Sequence, residues 1–322
     1  MRLRLVPQET NIDFFKARKI TFGVSMVLMV LSLVAWFTLG LNFGIDFRGG
    51  TTLRTESVNA VDVGAYRDAM QPLELGDVAI SEVFDPTFGD DENVAMIRIQ
   101  AQDDQESVTA ETVAQVEAAL QEVDPEIRFT SVESVGPKVS GELIQTAFLA
   151  VALSLAAIMI YIWLRFEWQF SLGAVVALFH DVLLTIGIFS ITQIRFDLAT
   201  IAALLTIVGY SINDTVVIFD RVRENLIKYK KKALRDVMNL SVNETLSRTV
   251  MTSGTTLIAL IALLILGGDV IRGFVFAITW GVVVGTYSSV YVAKNIVLML
   301  GTKRDWSKPD KTEGNQFANV DP

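Results

Sequence analysis

The sequence predicts a multi-span α-helical membrane protein: six transmembrane helices, with a ferredoxin-like α+β domain between the first and the second. Three observations carry this. Hydrophobic residues make up 51% of 322, more than the roughly 45–50% of soluble chains even with glycine counted. They are gathered into long runs separated by charged segments. The one long polar segment between runs alternates β-rich and helix-periodic stretches.

Six windows are long and apolar enough to span about 30 Å of hydrocarbon: 20–39, 143–164, 170–191, 198–219, 249–266 and 274–300. Polar stops of a few residues separate the second from the third, the third from the fourth and the fifth from the sixth. Helices linked so tightly must be antiparallel neighbours. Lysine and arginine near the ends set the orientation. They crowd residues 1–19, a basic loop at 220–248 and a tail at 301–322, so these three are expected in the cytoplasm. The run Lys228, Lys230, Lys231 and Lys232 is either a topology signal alone or also a contact for a cytoplasmic partner or anionic lipid. The first run is too long for a signal-peptide core and no A-x-A site follows it, which predicts an uncleaved anchor. The polar tail from 307 onward is expected to be disordered.

Segment 40–142 then faces the periplasm. It carries 21 acids against 6 bases, where the remainder carries 15 against 21, within a net charge of −9. β-rich runs at 51–55, 78–84, 94–99 and 126–132 alternate with helical stretches at 61–71 and 107–123. In the latter, Val113, Val116, Leu120 and Val123 share one face. The order β-α-β-β-α-β is the split ferredoxin-like motif.

Composition excludes much chemistry. There is no cysteine and one histidine, His180, so disulfides, thiolate catalysis and cysteine or multi-histidine metal sites are ruled out. No phosphate-cradling Gly-x-x-x-x-Gly-Lys-Ser/Thr run or Ser/His/Asp arrangement is readable. The expectation is a protein that is not an enzyme and needs no cofactor, with its energy supplied from elsewhere. Nothing in the sequence suggests nucleic acid as a partner; membrane lipid is implied by the spans.

Ionisable residues inside spans are costly and mark ion or proton paths. Asp214 lies in the fourth window, six residues before its end and so about 9 Å deep. Thr206, Tyr210 and Asn213 share a face with it alongside. Arg248 enters the fifth span from the same side and is expected to reach Asp214. Pairing favours the charged carboxylate and burial the neutral acid. Such a group either loads and releases a proton or forms a static pair locking two helices. His180 and Asp181 sit mid-way along the third span, as a relay or as an interhelical hydrogen bond. Gly281 and Gly285 in the sixth span are a close-packing signal. Just beyond the first span, Asp46, Phe47, Gly49 and Gly50 form either a tight turn, or a hinge or polypeptide contact at the membrane–periplasm junction.

The run Gly44-Ile45-Asp46-Phe47-Arg48-Gly49-Gly50-Thr51, the stretch from Val208 to Arg221 around Asn213-Asp214, and Gly285-Thr286-Tyr287-Ser288-Ser289 resemble the SecD/SecF protein-export family of the resistance-nodulation-division superfamily, on its SecF side. His180-Asp181 and the stretch from Asn243 to Arg248 also fit. The resemblance implies a SecD partner with the same six-span plan, association with the SecYEG channel and YajC, and use of the proton or sodium gradient to promote late steps of preprotein translocation. It also implies that Asp214 and Arg248 belong to the ion-coupling region and that the outward domain engages the emerging polypeptide. Two rivals are a small-molecule exporter of the same superfamily, usually with twelve spans, and a passive scaffold of the translocon.

Overall fold

No proline lies between 138 and 308, so nothing removes a backbone donor from the long apolar runs and they close into uninterrupted helices. The computed structural model describes residues 10–302 apart from 77, 84, 86–87, 90 and 101–107. Helix α1 (Arg18–Leu39) leads through a single turn, α2 (Ile45–Arg48), into a small domain. That domain comprises β1 (Gly50–Ser57), α3 (Val63–Met70), β2 (Val78–Val83), β3 (Asn93–Gln100), α4 (Ala110–Val123) and β4 (Arg128–Val135). The long helices follow: α5 (Pro137–Arg165), α6 (Trp168–Thr192), α7 (Leu198–Lys228), α8 (Leu234–Leu266) and α9 (Asp269–Ser288). A π-helical turn (Ser289–Ala293) joins α9 to α10 (Lys294–Leu300). Six helical segments, the last running through α9 and α10, are long and apolar enough to cross a membrane among the described residues.

The four strands form one antiparallel sheet in the order β2-β3-β1-β4, the ferredoxin-like arrangement. Leu53, Ile97 and Ile99 are fully buried beneath Val116 and Leu120 of α4 and Tyr66 of α3. Because strand side chains alternate, Met96 and Arg98 stand on the opposite face of β3, which the helices leave uncovered.

In the membrane part, α6 and the sixth span are the most enclosed, and α1, α5 and α8 the least. Two apolar clusters fill the bundle. One, around Phe189, Leu204 and Ile207, lies toward the sheet domain; the other, around Phe170, Phe219 and Val242, lies toward the far end.

Residues 220–248, expected as a loop, are instead helical to Lys228 and again from Leu234. The charges there sit on the outer faces of helices whose inner faces bury Val222, Leu226, Val237 and Val242. Arg221 pairs with Glu224 and Glu244 at 2.7 Å each. The N-terminal segment is strapped across the start of α8. Asn243 Oδ1 accepts from the Ile12 amide at 2.8 Å, Asn239 Oδ1 from the Phe14 amide at 2.9 Å, and both side-chain amides donate to the Ile12 carbonyl. Residues 1–9 and the tail from 303 lie outside the described residues.

Candidate ion-coupling site

The end of α1 feeds a junction that glycine makes possible. Gly49 and Gly50 both adopt positive φ, +72° and +123°, which residues with a Cβ rarely do. This turns the chain from α2 into β1. Asp46 Oδ2 accepts the amide of Leu198 at 3.0 Å, and the Gly44 amide donates to the Phe196 carbonyl at 2.8 Å. Phe47 packs with Phe43 and Phe196. Next to it, Asp197 caps α7 by accepting from the Thr200 amide at 2.9 Å, while the Thr200 hydroxyl also bonds Asp197. Helix α7 is therefore held at its first turn by two carboxylates, as its exposed amide donors and positive dipole end favour.

From that anchor α7 carries Ser211, Asp214 and Thr215 into the middle of the bundle, all buried. Gly281 and Gly285 of α9 face it. A Cβ on Gly281 would collide with Ile207, and one on Gly285 would lie 3.0 Å from Ser211 Cβ, so the two helices touch backbone to side chain without spacers.

Two buried carboxylates result, and their surroundings differ. Asp181, fully buried on α6, lies 3.0 Å from His180 Nδ1 through Oδ1. Its Oδ2 accepts from Ser211 at 2.6 Å and Ser288 at 2.8 Å. The His180 ring stacks on Tyr287, whose hydroxyl donates to the Thr21 carbonyl of α1. This set joins four spans. Asp214 is 4% exposed. Among the described residues its one hydrogen bond comes from Ser253 of α8, at 3.4 Å to Oδ2, and Ser253 itself lies 2.8 Å from Thr286 of α9. An ionised carboxylate offers about four acceptor sites, so Asp214 is far less compensated than Asp181. Thr215 and Ser289, 2.7 Å apart, with Ser289 bonded on to the Ser211 carbonyl, lie between the two groups.

The expected Asp214–Arg248 ion pair is not formed among the described residues. Arg248 precedes Ser253 by five residues, roughly 140° around the helix at 3.6 residues per turn. Ser253 faces inward, and Arg248 lies on the exposed side. Asn213 is also exposed, on the stripe of α7 that includes Thr206 and Gly209. Thr206, Thr252 and Thr255 satisfy their hydroxyls on their own helices. The Asn213 and Arg248 side chains have no hydrogen-bond or ion-pair partner among the described residues.

Sequence reasoning passed over Ser253 and Lys294. Ser253 is one of many span hydroxyls, and only the helix phase singles it out. Lys294 carried a signal, a charge within the sixth window. It is fully buried, with Nζ 4.2 Å from the ring centre of Phe15, 4.9 Å from Phe14 and 5.2 Å from Tyr291. This aromatic cage closes the inner cluster beneath the N-terminal strap.

A model of the protein-export membrane protein SecD/SecF C-terminal region matches residues 115–303, and one of the SecD/SecF GG motif matches residues 34–61, which include the junction. The chain belongs to the SecD/SecF protein-export family. Within the SecD/SecF family it is 69% identical over 320 residues to the protein translocase subunit SecF of Cereibacter sphaeroides, covering 99% of both chains. It is 64% identical to that of Rhodobacter capsulatus, covering 97% of this chain and 96% of the relative. The fold matches the crystal structure of SecDF, a translocon-associated membrane protein from a Thermus species, with a TM-score of 0.82 and 33% identity over 93% of this chain. A super-membrane-facing form of SecDF matches with a TM-score of 0.67. The chain spans about 40% of the length of the SecDF chain.

Proposed function

We propose that this chain is the SecF-type subunit of the protein-export machinery, working with a SecD half to turn a proton or sodium gradient into preprotein movement. It acts without catalysing a covalent reaction. The observation that carries this reading is the contrast between the two buried carboxylates. Asp181 is bonded across α6, α7 and α9, in a set that reaches α1 through Tyr287, and serves as a lock. Asp214 is enclosed yet, among the described residues, held by a single long hydrogen bond from Ser253, so a cation arriving there changes the balance among α7, α8 and α9. Because the first amide of α7 is held by Asp46 of the junction, a shift of α7 reaches the sheet domain.

The partner half covers the stripe of Asn213 and Arg248. In lipid, exposed amide and guanidinium groups without partners are costly, and a facing helix removes that cost. Arg248 then serves Asp214 after a rotation of α8. The sheet domain faces the periplasm, the strapped end and tail face the cytoplasm, and SecYEG, YajC and the preprotein are the further partners.

Inverted membrane vesicles test this. Asp214→Asn should assemble with its partner and lose gradient-stimulated export, and imposing pH and sodium gradients separately identifies the ion. Full stimulation with the variant would end the proposal. Export that needs the chain but ignores collapse of the gradient would favour the passive scaffold.

A further inference from the structure

A cavity of about 200 Å³ opens between the end of α1 and the uncovered face of the sheet. Asn42, Phe43, Arg48 and Gly49 line it from the junction, and Ala79, Arg98 and Gln100 from β2 and β3. Two of these residues are arginines. Neither guanidinium has a hydrogen-bond or ion-pair partner among the described residues, and Arg98 Nε is a wholly buried donor without an acceptor. A third arginine, Arg195, lies close by, bonded at 3.2 Å to Asp197 and reaching Met96 beside Arg98. Burial, then the charges of Arg195 and Arg48, push the Arg98 guanidinium down from its ordinary value, and Asp197 alone opposes them.

Such an arrangement is costly as it stands. A half-buried guanidinium without an acceptor loses hydration with no return, and a second cation on the same cavity adds repulsion. Among the described residues, Asp46 is committed to the Leu198 amide, and Asp197 caps α7 and holds Arg195. An anion whose oxygens take forked N–H donors, the geometry of a phosphate, would satisfy both guanidinium groups.

The position in the fold points to its source. Helix α1 ends at Leu39, and Trp36 and Phe37 near its end are exposed, as aromatic residues are at the headgroup level of a bilayer. Asn42, the first residue lining the cavity, follows within a few positions. The cavity therefore opens where lipid phosphates lie.

We infer that Arg48 and Arg98, with Gln100 and Asn42 beside them, form a phosphate-binding site between the sheet domain and the membrane surface, filled by the headgroup of an anionic phospholipid. A headgroup held there ties the sheet's open face to the bilayer through a contact independent of the Asp46 junction.

The test is lipid retention by the full chain in native mass spectrometry, comparing phosphatidylglycerol with phosphatidylcholine. Phosphatidylglycerol should be retained preferentially, and Arg98→Gln should weaken it about tenfold, the size of one charge-assisted contact. Ala79 stands directly opposite Arg98 on β2, so Ala79→Glu supplies an internal carboxylate. It should abolish the preference while leaving both arginines in place, which keeps the test open if Arg98→Gln fails to fold. Displacement of the lipid by inorganic phosphate, with the same loss in both variants, would keep the site and assign it to a free anion. Equal retention of the two lipids, or a preference unchanged in folded Ala79→Glu, would overturn the inference.

Discussion

Asp46 accepts the backbone amide of Leu198 at 3.0 Å, so the turn beneath the sheet domain holds the first residue of the helix that carries Asp214. The two sites are separated by sixteen residues of continuous α7, roughly 24 Å at 1.5 Å per residue. In the proposed reading, this continuous helix, anchored at one end to the domain and carrying Asp214, links the two mechanically. Asp46→Ala should cost about 1 kcal/mol at that helix start. Hydrogen exchange at the Leu198 amide should then run about fivefold faster, while the core of β1 exchanges as before.

The approach of α9 to α7 depends on Gly281 lying against Ile207. Gly281→Leu should destabilise the bundle by about 1–3 kcal/mol through overpacking. Adding Ile207→Ala should recover part of that loss, because the added and removed volumes share one contact. Thermal inactivation of the purified chain measures both, and a double variant no better than the single one would refute direct contact.

Asp181 and Asp214 should respond differently to removal of charge. Asp181→Leu strands the Ser211 hydroxyl and the His180 ring in a buried site, while Ser288 keeps only the Gly285 carbonyl, at about 1–3 kcal/mol for each unsatisfied group. Its accumulation in the membrane should fall sharply. Asp214→Asn keeps an acceptor for Ser253 and should accumulate normally. Quantified membrane levels of the two variants decide the matter.

The sheet domain should be sensitive to extremes of pH. Burial works to raise the Asp124 carboxyl, but hydrogen bonds from Ser57, Asn59, the Glu126 amide and Tyr66 outweigh it and hold it below the usual carboxylate value. Stability from this group is present above the unfolded value, about pH 4, and is lost as pH falls through the lower folded value. Tyr66 is raised, first by burial and then by its bond to Asp124, so its contribution holds below about pH 10 and is lost as pH rises. Hydrogen exchange of β1 and β3 in the full chain should show protection falling at both ends. Asp124→Asn should flatten the acid limb.

The membrane plan was legible because proline-free apolar runs leave few alternatives, and the sheet domain because alternation around Leu53 and Ile97 marks one buried face. Residues such as Val222 and Val242 gave the same kind of signal at 220–248, but the surrounding charges disguised it as a loop. The relation of Asp214 to Arg248 was not legible. Depth in the membrane can be counted from sequence, but which side of α8 meets α7 depends on packing, and the inward place went to Ser253. The strap of Ile12 and Phe14 on Asn239 and Asn243 joins segments more than 220 residues apart, beyond any local pattern.

The most direct test of the account is infrared difference spectroscopy of the assembled complex as a gradient or pH step is applied. The account predicts a carboxyl band that changes with ion loading, disappears in Asp214→Asn and persists in any folded variant of Asp181. A band unchanged in Asp214→Asn, or a carboxylate that never alters while export proceeds, would contradict it.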